Sequence, residues 1–233
     1  MKNYIFIIGI IALATSCASI HHHELRVAKK NDPLLLALEP RIDLNSFETA
    51  FSMGSSKGTS TSYASSLTGT SAIGLSSYNA TMHKDPRVQD AITLFDRDVK
   101  DNLTDPYGEK KGYVLCKIAF GSSDDSGYGW AALSGLTLLI PNFFGMPFWS
   151  HTTTLDVEVE IYDLKEKLLG KYNSHCTNQA WVAMYYGYTS KDAARKSGME
   201  AFKCALSGVK EKISKDTKRI NGELLKNSSV SSN

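Results

Sequence analysis

Apolar positions along this chain recur on two different periods, and the places where the period changes mark the elements. Pro33 opens the apolar run Leu34-Leu35-Leu36-Ala37-Leu38, closed by Pro40, whose length predicts a buried strand. Residues 43–48 read as a turn leading into a short amphipathic stretch. From Asp85-Pro86 onward, Val88, Ala91, Ile92, Phe95 and Val99 recur at steps of three and four, which predicts an amphipathic helix with proline in its first turn. Asp90, Arg97, Asp98, Lys100 and Asp101 lie on its other face, and Asp105-Pro106-Tyr107-Gly108 closes it with a turn. A period of two then takes over. Residues 113–120 place Val114, Cys116, Ile118 and Phe120 on one face of a strand. Residues 152–162 point Leu155, Val157, Val159 and Ile161 inward and Asp156, Glu158 and Glu160 outward. Residues 163–167 form a turn, and 168–182 return as the partner strand of a hairpin. Ser190 caps a last helix, with Asp192 near the positive end of its dipole. Small residues (Ala194, Ser197, Gly198, Ala201, Ala205, Gly208) run along it beside Phe202, Leu206, Val209 and Ile213. After Lys215 the pattern ends, and residues 215–233 are expected to be a disordered tail.

These elements predict an α+β, two-layer fold: a small mixed sheet of about four strands with two main helices packed on it, in a single domain over residues 33–214. Two segments stand apart. Residues 52–81 are rich in Ser, Thr and Gly, with Lys57 the one charge, and read as a long flexible loop. Within them Gly54-Ser55-Ser56-Lys57-Gly58 is a formal Gly-x-Ser-x-Gly. No strand precedes it, so the turn that would expose a nucleophilic serine lacks its context. The second segment, residues 126–150, holds no charged residue and is nearly long enough to span a bilayer. Pro141 breaks it as a continuous helix, and Trp130 and Trp149 stand near its ends as interfacial aromatics do. Three readings stay open for this insert: a crossover in the protein's own core, a hairpin dipping into a lipid leaflet, or an oligomer or partner surface. Membrane or partner contact would fall on Trp130, Leu136, Leu139, Phe143, Phe144, Phe148 and Trp149.

Composition narrows the chemistry. With 42% hydrophobic and 21% charged residues, the chain is ordinary globular protein, not disordered. It is large enough to fold without a metal or a disulfide staple. A formal charge of +2 with no basic stripe excludes nucleic acid as a partner. Cys116, Cys176 and Cys204 have no metal-ligand spacing and are expected as buried thiols; an oxidising compartment leaves room for one disulfide among them. His21, His22 and His23 are consecutive, share no face, and read as spacer, not as a metal site. The alternating acids of 152–162 lie on an open face without the desolvation that tunes a general acid. No cofactor site, metal site or catalytic set is expected.

The leader decides location. Lys2, the apolar run 5–14 and small residues before Cys17 are the parts of a secretory signal. Ten helical residues rise only ~15 Å, half of a bilayer core, so this is no spanning anchor. Leu13-Ala14-Thr15-Ser16-Cys17 resembles the lipobox of bacterial lipoproteins, with Ala14 where leucine is usual. The resemblance implies removal of residues 1–16, acylation of Cys17 (palmitate and related chains) and a tether over 17–32. Ala18, in place of Asp, resembles the signal for transfer to the outer membrane. Further along, Leu136-Thr137-Leu138-Leu139-Ile140-Pro141, the Thr-rich start of 152–162, Leu169-Gly170-Lys171-Tyr172 and the Ala-rich last helix resemble small envelope lipoproteins. Their layout is similar to the α/β module of the TolB amino-terminal domain and the curli-secretion lipoprotein, over about residues 33–214. That resemblance implies envelope assembly or scaffolding and brings no catalytic residues. The expected function is a non-enzymatic, membrane-anchored lipoprotein that binds lipid through Cys17 and an envelope protein or a second copy of itself. One alternative is an oligomeric secretion or export component of the outer membrane. The other is a serine hydrolase using Ser56, with His83, His151 or His175 available as base.

Overall fold

The computed structural model describes residues 33–52, 72–74, 85–137, 140–183 and 187–229. Its strands are β1 (Glu39–Asp43), β2 (Ala72–Gly74), β3 (Gly112–Ser126), β4 (Trp149–Asp163) and β5 (Leu168–Val182). Its helices are α1 (Leu44–Ser52), α2 (Pro86–Asp98), α3 (Tyr128–Leu136), α4 (Ile140–Phe143) and α5 (Ser190–Ser229). The strands form one five-stranded sheet in the order β2-β1-β3-β4-β5. The β1–β3 pair is parallel and the others are antiparallel, so the sheet is mixed and the fold is α+β. Helix α5 lies along β4 and β5, α1 lies over β3, and α2 packs on α5.

The alternation in β4 does what it predicts. Leu155, Val157, Val159 and Ile161 are buried in one core with Phe202, Ala205, Val209 and Ile213 of α5. The small stripe on α5 permits this approach: a Cβ on Gly208 would stand 2.3 Å from the Ser174 Oγ of β5. Helix α2 is capped by Asp85, whose carboxylate accepts the Arg87 N–H at 2.9 Å. It continues into a π-helical turn over Val99–Leu103.

Several expectations are corrected. The strand after Pro33 is not the apolar run but β1, which begins at Glu39. The run passes instead between the end of α2 and the end of α5. Leu35 makes a lone bridge to Thr104, the Leu36 N–H donates to Asn221, and the Asn221 amide donates to the Leu34 carbonyl. Backbone groups of Leu103, Asp105 and Lys111, together with the side chains of Asn221 and Lys110, satisfy that backbone without a strand ladder. In β3 a bulge between Ile118 and Phe120 breaks the alternation, so Phe120 pairs with outward Asp156 and Gly121 turns inward. Ala50 of α1 presses there, 2.8 Å from where a Gly121 Cβ would be. Thr189, not Ser190, caps α5: its Oγ1 accepts the Asp192 N–H at 3.2 Å.

Residues 215–229 are no disordered tail. They complete α5, and Ile220 and Leu224 in them are fully buried, so the domain extends past 214. Within 52–81, Ser52 ends α1 and Ala72–Gly74 form β2, paired antiparallel with β1; residues 53–71 and 75–81 lie outside the described residues. Cys176 and Cys204 are joined in a disulfide between β5 and α5, with Cα atoms 5.9 Å apart. Only Cys116 is the buried thiol expected of all three.

The sheet has two distinct ends. At one, Gly112 pairs with Asp163 and the chain comes in through Leu34 and Leu35 beside Asn221 of α5. At the other, Ser126 pairs with Ser150, and α3 and α4 leave and return between them.

Candidate functional site

Past the bulge, the inward side of β3 and β4 runs beyond the apolar core and turns polar. Ser123 pairs with Thr153 and Asp125 with His151, so these four side chains share the face that carries Leu155. The His151 Nδ1 lies 2.6 Å from Asp125 Oδ1, and the Ser123 Oγ lies 2.5 Å from His151 Nε2. Ser123 Oγ is also 3.4 Å from Thr153 Oγ1, which is 2.7 Å from Ser197 Oγ on α5. Ser197 donates to the Ala194 carbonyl at 3.1 Å. His151, Thr153 and Ser197 are buried, whereas the Asp125 side chain is 38% exposed and Ser123 is half-buried. The cluster is therefore enclosed on the β4 side and open on the β3 side. Asp125 Oδ2 accepts the Tyr128 hydroxyl at 3.2 Å, which ties the cluster to the first residue of α3.

Helices α3 and α4 form the insert, and of the three readings left open for it they contradict the crossover buried in the core. Leu136 is 85% and Phe144 87% exposed, and Tyr128, Trp130, Leu133 and Ile140 are exposed too. Ser134 is buried on α3, but its hydroxyl donates to the Trp130 carbonyl at 2.7 Å. The Thr137 hydroxyl does the same to Leu133 at 2.7 Å. The helix thus has no charged side, and the hydroxyls of Ser134 and Thr137 are satisfied by its own carbonyls. At its root Phe148 and Trp149 are half-buried against Ala180, Val182 and Ala193. The buried Asn142 amide donates to the Met146 carbonyl at 3.0 Å, leaving its Oδ1 without a partner. Of the predicted contact residues, Phe143 ends α4 and Leu139 lies outside the described residues. No helix among the described residues is long and apolar enough to cross a membrane.

The other candidates separate. Cys17, His21, His22, His23, Ser56 and His83 lie outside the described residues. His175 pairs with Asp156 on the opposite face of the sheet from His151. The acidic row of β4 faces outward as expected, but Glu160 is not open to solvent; it is 5% exposed. Lys117 Nζ reaches it at 2.6 Å, the Tyr162 hydroxyl at 2.9 Å and Lys171 Nζ at 3.3 Å. Burial pushes its carboxyl upward, but the hydrogen bonds from Lys117 and Tyr162 outweigh that and hold it below the usual glutamate range. Glu160 is thus an ion-pair centre kept charged. Among the described residues, no group of three or more His, Cys, Asp and Glu side chains could hold a metal.

No protein-family model matches the chain, and no curated protein matches it. The Ser123–His151–Asp125 cluster escaped sequence reading except for His151 as a candidate base. Its one signal is Ser123 and Asp125 two apart on a strand, hence on one face. Pairing them with His151 requires the β3–β4 register, which the intervening insert hides.

Proposed function

We propose that this protein is a lipid-anchored component of the cell envelope that inserts α3 and α4 into one leaflet of a bilayer and serves there as a binding or scaffolding element. The observation that carries the proposal is the outward-facing, uncharged α3–α4 segment, with Leu136 at the end of α3 and Phe144 just after α4 almost wholly exposed. A helix apolar on all sides belongs in a core or in lipid, and this one is not in the core. Hydroxyls satisfied within the helix, as at Ser134 and Thr137, suit a medium without water. The nine residues of α3 rise ~14 Å, less than half of a ~30 Å hydrocarbon core, so the pair reaches one leaflet only. Tyr128 and Trp130 near its start suit the headgroup level. The lipobox resemblance at Cys17 supports the same membrane setting, and the likeness to envelope lipoproteins supports a scaffolding role.

The test is flotation of the mature chain, residues 17–233, carrying Cys17→Ser so that no lipid is attached. With phosphatidylcholine vesicles, the protein should float, and Leu136→Ser with Phe144→Ser should release it. Equal flotation of the two proteins, or none by either, sinks the insertion. The export-component alternative makes a different forecast: a ring-sized oligomer in mild detergent, which a monomer would exclude.

A further inference from the structure

We propose that Ser123, His151 and Asp125 form an acyl-transfer triad, with Ser123 as nucleophile toward carboxylic esters of lipids. The lipid part of the substrate rests on the membrane proposal above; the nucleophile does not.

The protons in the cluster can be assigned in order. Each hydroxyl has one proton to give. Ser197 gives its proton to the Ala194 carbonyl, so Thr153 must be the donor to Ser197. Thr153 then has none left for Ser123. The Ser123 proton therefore goes to the nearer acceptor, His151 Nε2 at 2.5 Å, in preference to Thr153 at 3.4 Å. With Nε2 accepting, the neutral imidazole carries its proton on Nδ1, which donates to Asp125 at 2.6 Å. The opposite tautomer would set a nitrogen lone pair against a carboxylate. The network thus selects the one tautomer in which a histidine can take a serine proton. Serine, base and orienting carboxylate in this relation recur on unrelated folds and are recognised by geometry, not by sequence order.

In the first step Ser123 Oγ bonds to the ester carbonyl carbon as its proton passes to His151 Nε2. The tetrahedral adduct then breaks its bond to the alcohol oxygen, and the alcohol leaves with that proton. Water, giving a proton to the same Nε2, attacks the acyl-serine, releases the carboxylic acid and returns the proton to Ser123. Asp125 is a positioning residue: it holds the tautomer and offsets the imidazolium charge. The ester class follows from position. Ser123 and Asp125 lie on the strand that runs into α3, His151 lies on the strand that returns from α4, and Tyr128 of α3 is bonded to Asp125. An α3–α4 pair in a leaflet places the open β3 side of the cluster at the level of lipid ester groups.

The experiment uses the full, lipidated protein in mild detergent with a fluorophosphonate probe and identifies the labelled peptide. Ser123 should be labelled, with labelling retained in Ser56→Ala and lost in Ser123→Ala. His151→Gln should slow labelling by about 10²–10⁴-fold, the usual worth of a general base. Asp125→Asn should slow it and alter its pH profile, because an amide favours the other tautomer. Should His151→Gln fail to fold, Ser123→Ala decides, since it removes one hydroxyl from a half-buried residue. A natively folded wild type left unlabelled at Ser123 overturns the triad. In a second arm, p-nitrophenyl acetate and phosphatidylcholine in vesicles are offered in turn. Turnover of the first without the second, in a protein that floats, overturns the lipid-ester assignment. Absence of flotation by the Cys17→Ser protein, with Ser123 labelling intact, overturns the membrane proposal and leaves the nucleophile standing.

Discussion

The Cys176–Cys204 disulfide fixes the first half of α5 to β5 across a sequence separation of 28. In the chain-entropy treatment, closing a loop of that length removes about 12 cal/mol/K from the unfolded chain, or about 3.6 kcal/mol at 25 °C. Little packing is lost with the sulfurs, because Cys204 is exposed and Cys176 half-buried. Cys176→Ala with Cys204→Ala therefore isolates the cross-link from the core. The core beneath it, with Leu155 and Phe202 fully buried, keeps its contacts. Urea unfolding of the oxidised protein and the double variant, followed by far-ultraviolet circular dichroism, measures the difference. With a slope of about 2–3 kcal/mol/M, the midpoint should fall by about 1.2–1.8 M. A fall below about 0.3 M, less than 1 kcal/mol at that slope, would refute the reasoning. It would mean that the unfolded chain is already confined between these two elements, or that the bond does not form.

Three further outcomes follow from the packing and the charges. Leu224→Ala should destabilise by about 2–5 kcal/mol, the range for a fully buried leucine; a change within the surface range of about 0.5 kcal/mol would return 215–229 to a dispensable tail. Glu160 is held below its ordinary range when folded, so it adds stability above the unfolded glutamate value and loses it as pH falls through the folded one. The melting temperatures of wild type and Glu160→Gln should therefore converge in acid, and parallel curves would contradict the Lys117–Glu160 pair. Burial and the hydrogen bond to Asp216 push the Tyr172 hydroxyl up to about 12. Its contribution is complete below the unfolded value of about 10 and lost as pH rises through about 12, so Tyr172→Phe should remove that alkaline loss from the stability profile.

The β4–β5 hairpin and α2 were legible because each buries one face, so period and burial coincide. The run at Leu34–Leu38 misled for the same reason in reverse: it is apolar at every position because it is enclosed between helix ends, and its backbone is held by loop backbone at Leu103, Asp105 and Lys111 and by Asn221, not by a neighbouring strand. The end of α5 was unreadable because its buried positions thin to Ile213, Ile220 and Leu224, with polar residues between. Phe120 turned outward through a bulge whose one trace in sequence is Gly121, small where Ala50 presses. The serine cluster and the disulfide both join residues whose nearness is set by register and helix placement, which local pattern does not carry. The insert was recognised as exceptional from its lack of charge, and its exposure distinguished between core and surface. The leader and Cys17 remain an expectation, outside the described residues.

The two ends of the sheet have a mechanical consequence. The chain comes in beside Asn221, while α3 and α4 leave from the far ends of β3 and β4, strands of 15 residues each. At ~3.3 Å per residue the two points stand ~45–50 Å apart. A lipid on Cys17 alone is a leash: residues 17–32 could pay out to ~55 Å and let the body tumble. With α3 and α4 held by the same bilayer, one end of the body would be fixed at the surface while the other stayed on its leash. Because a reach of ~55 Å exceeds the ~45–50 Å between the two points, the body could lie along the membrane or stand upright on α3 and α4 without straining the tether.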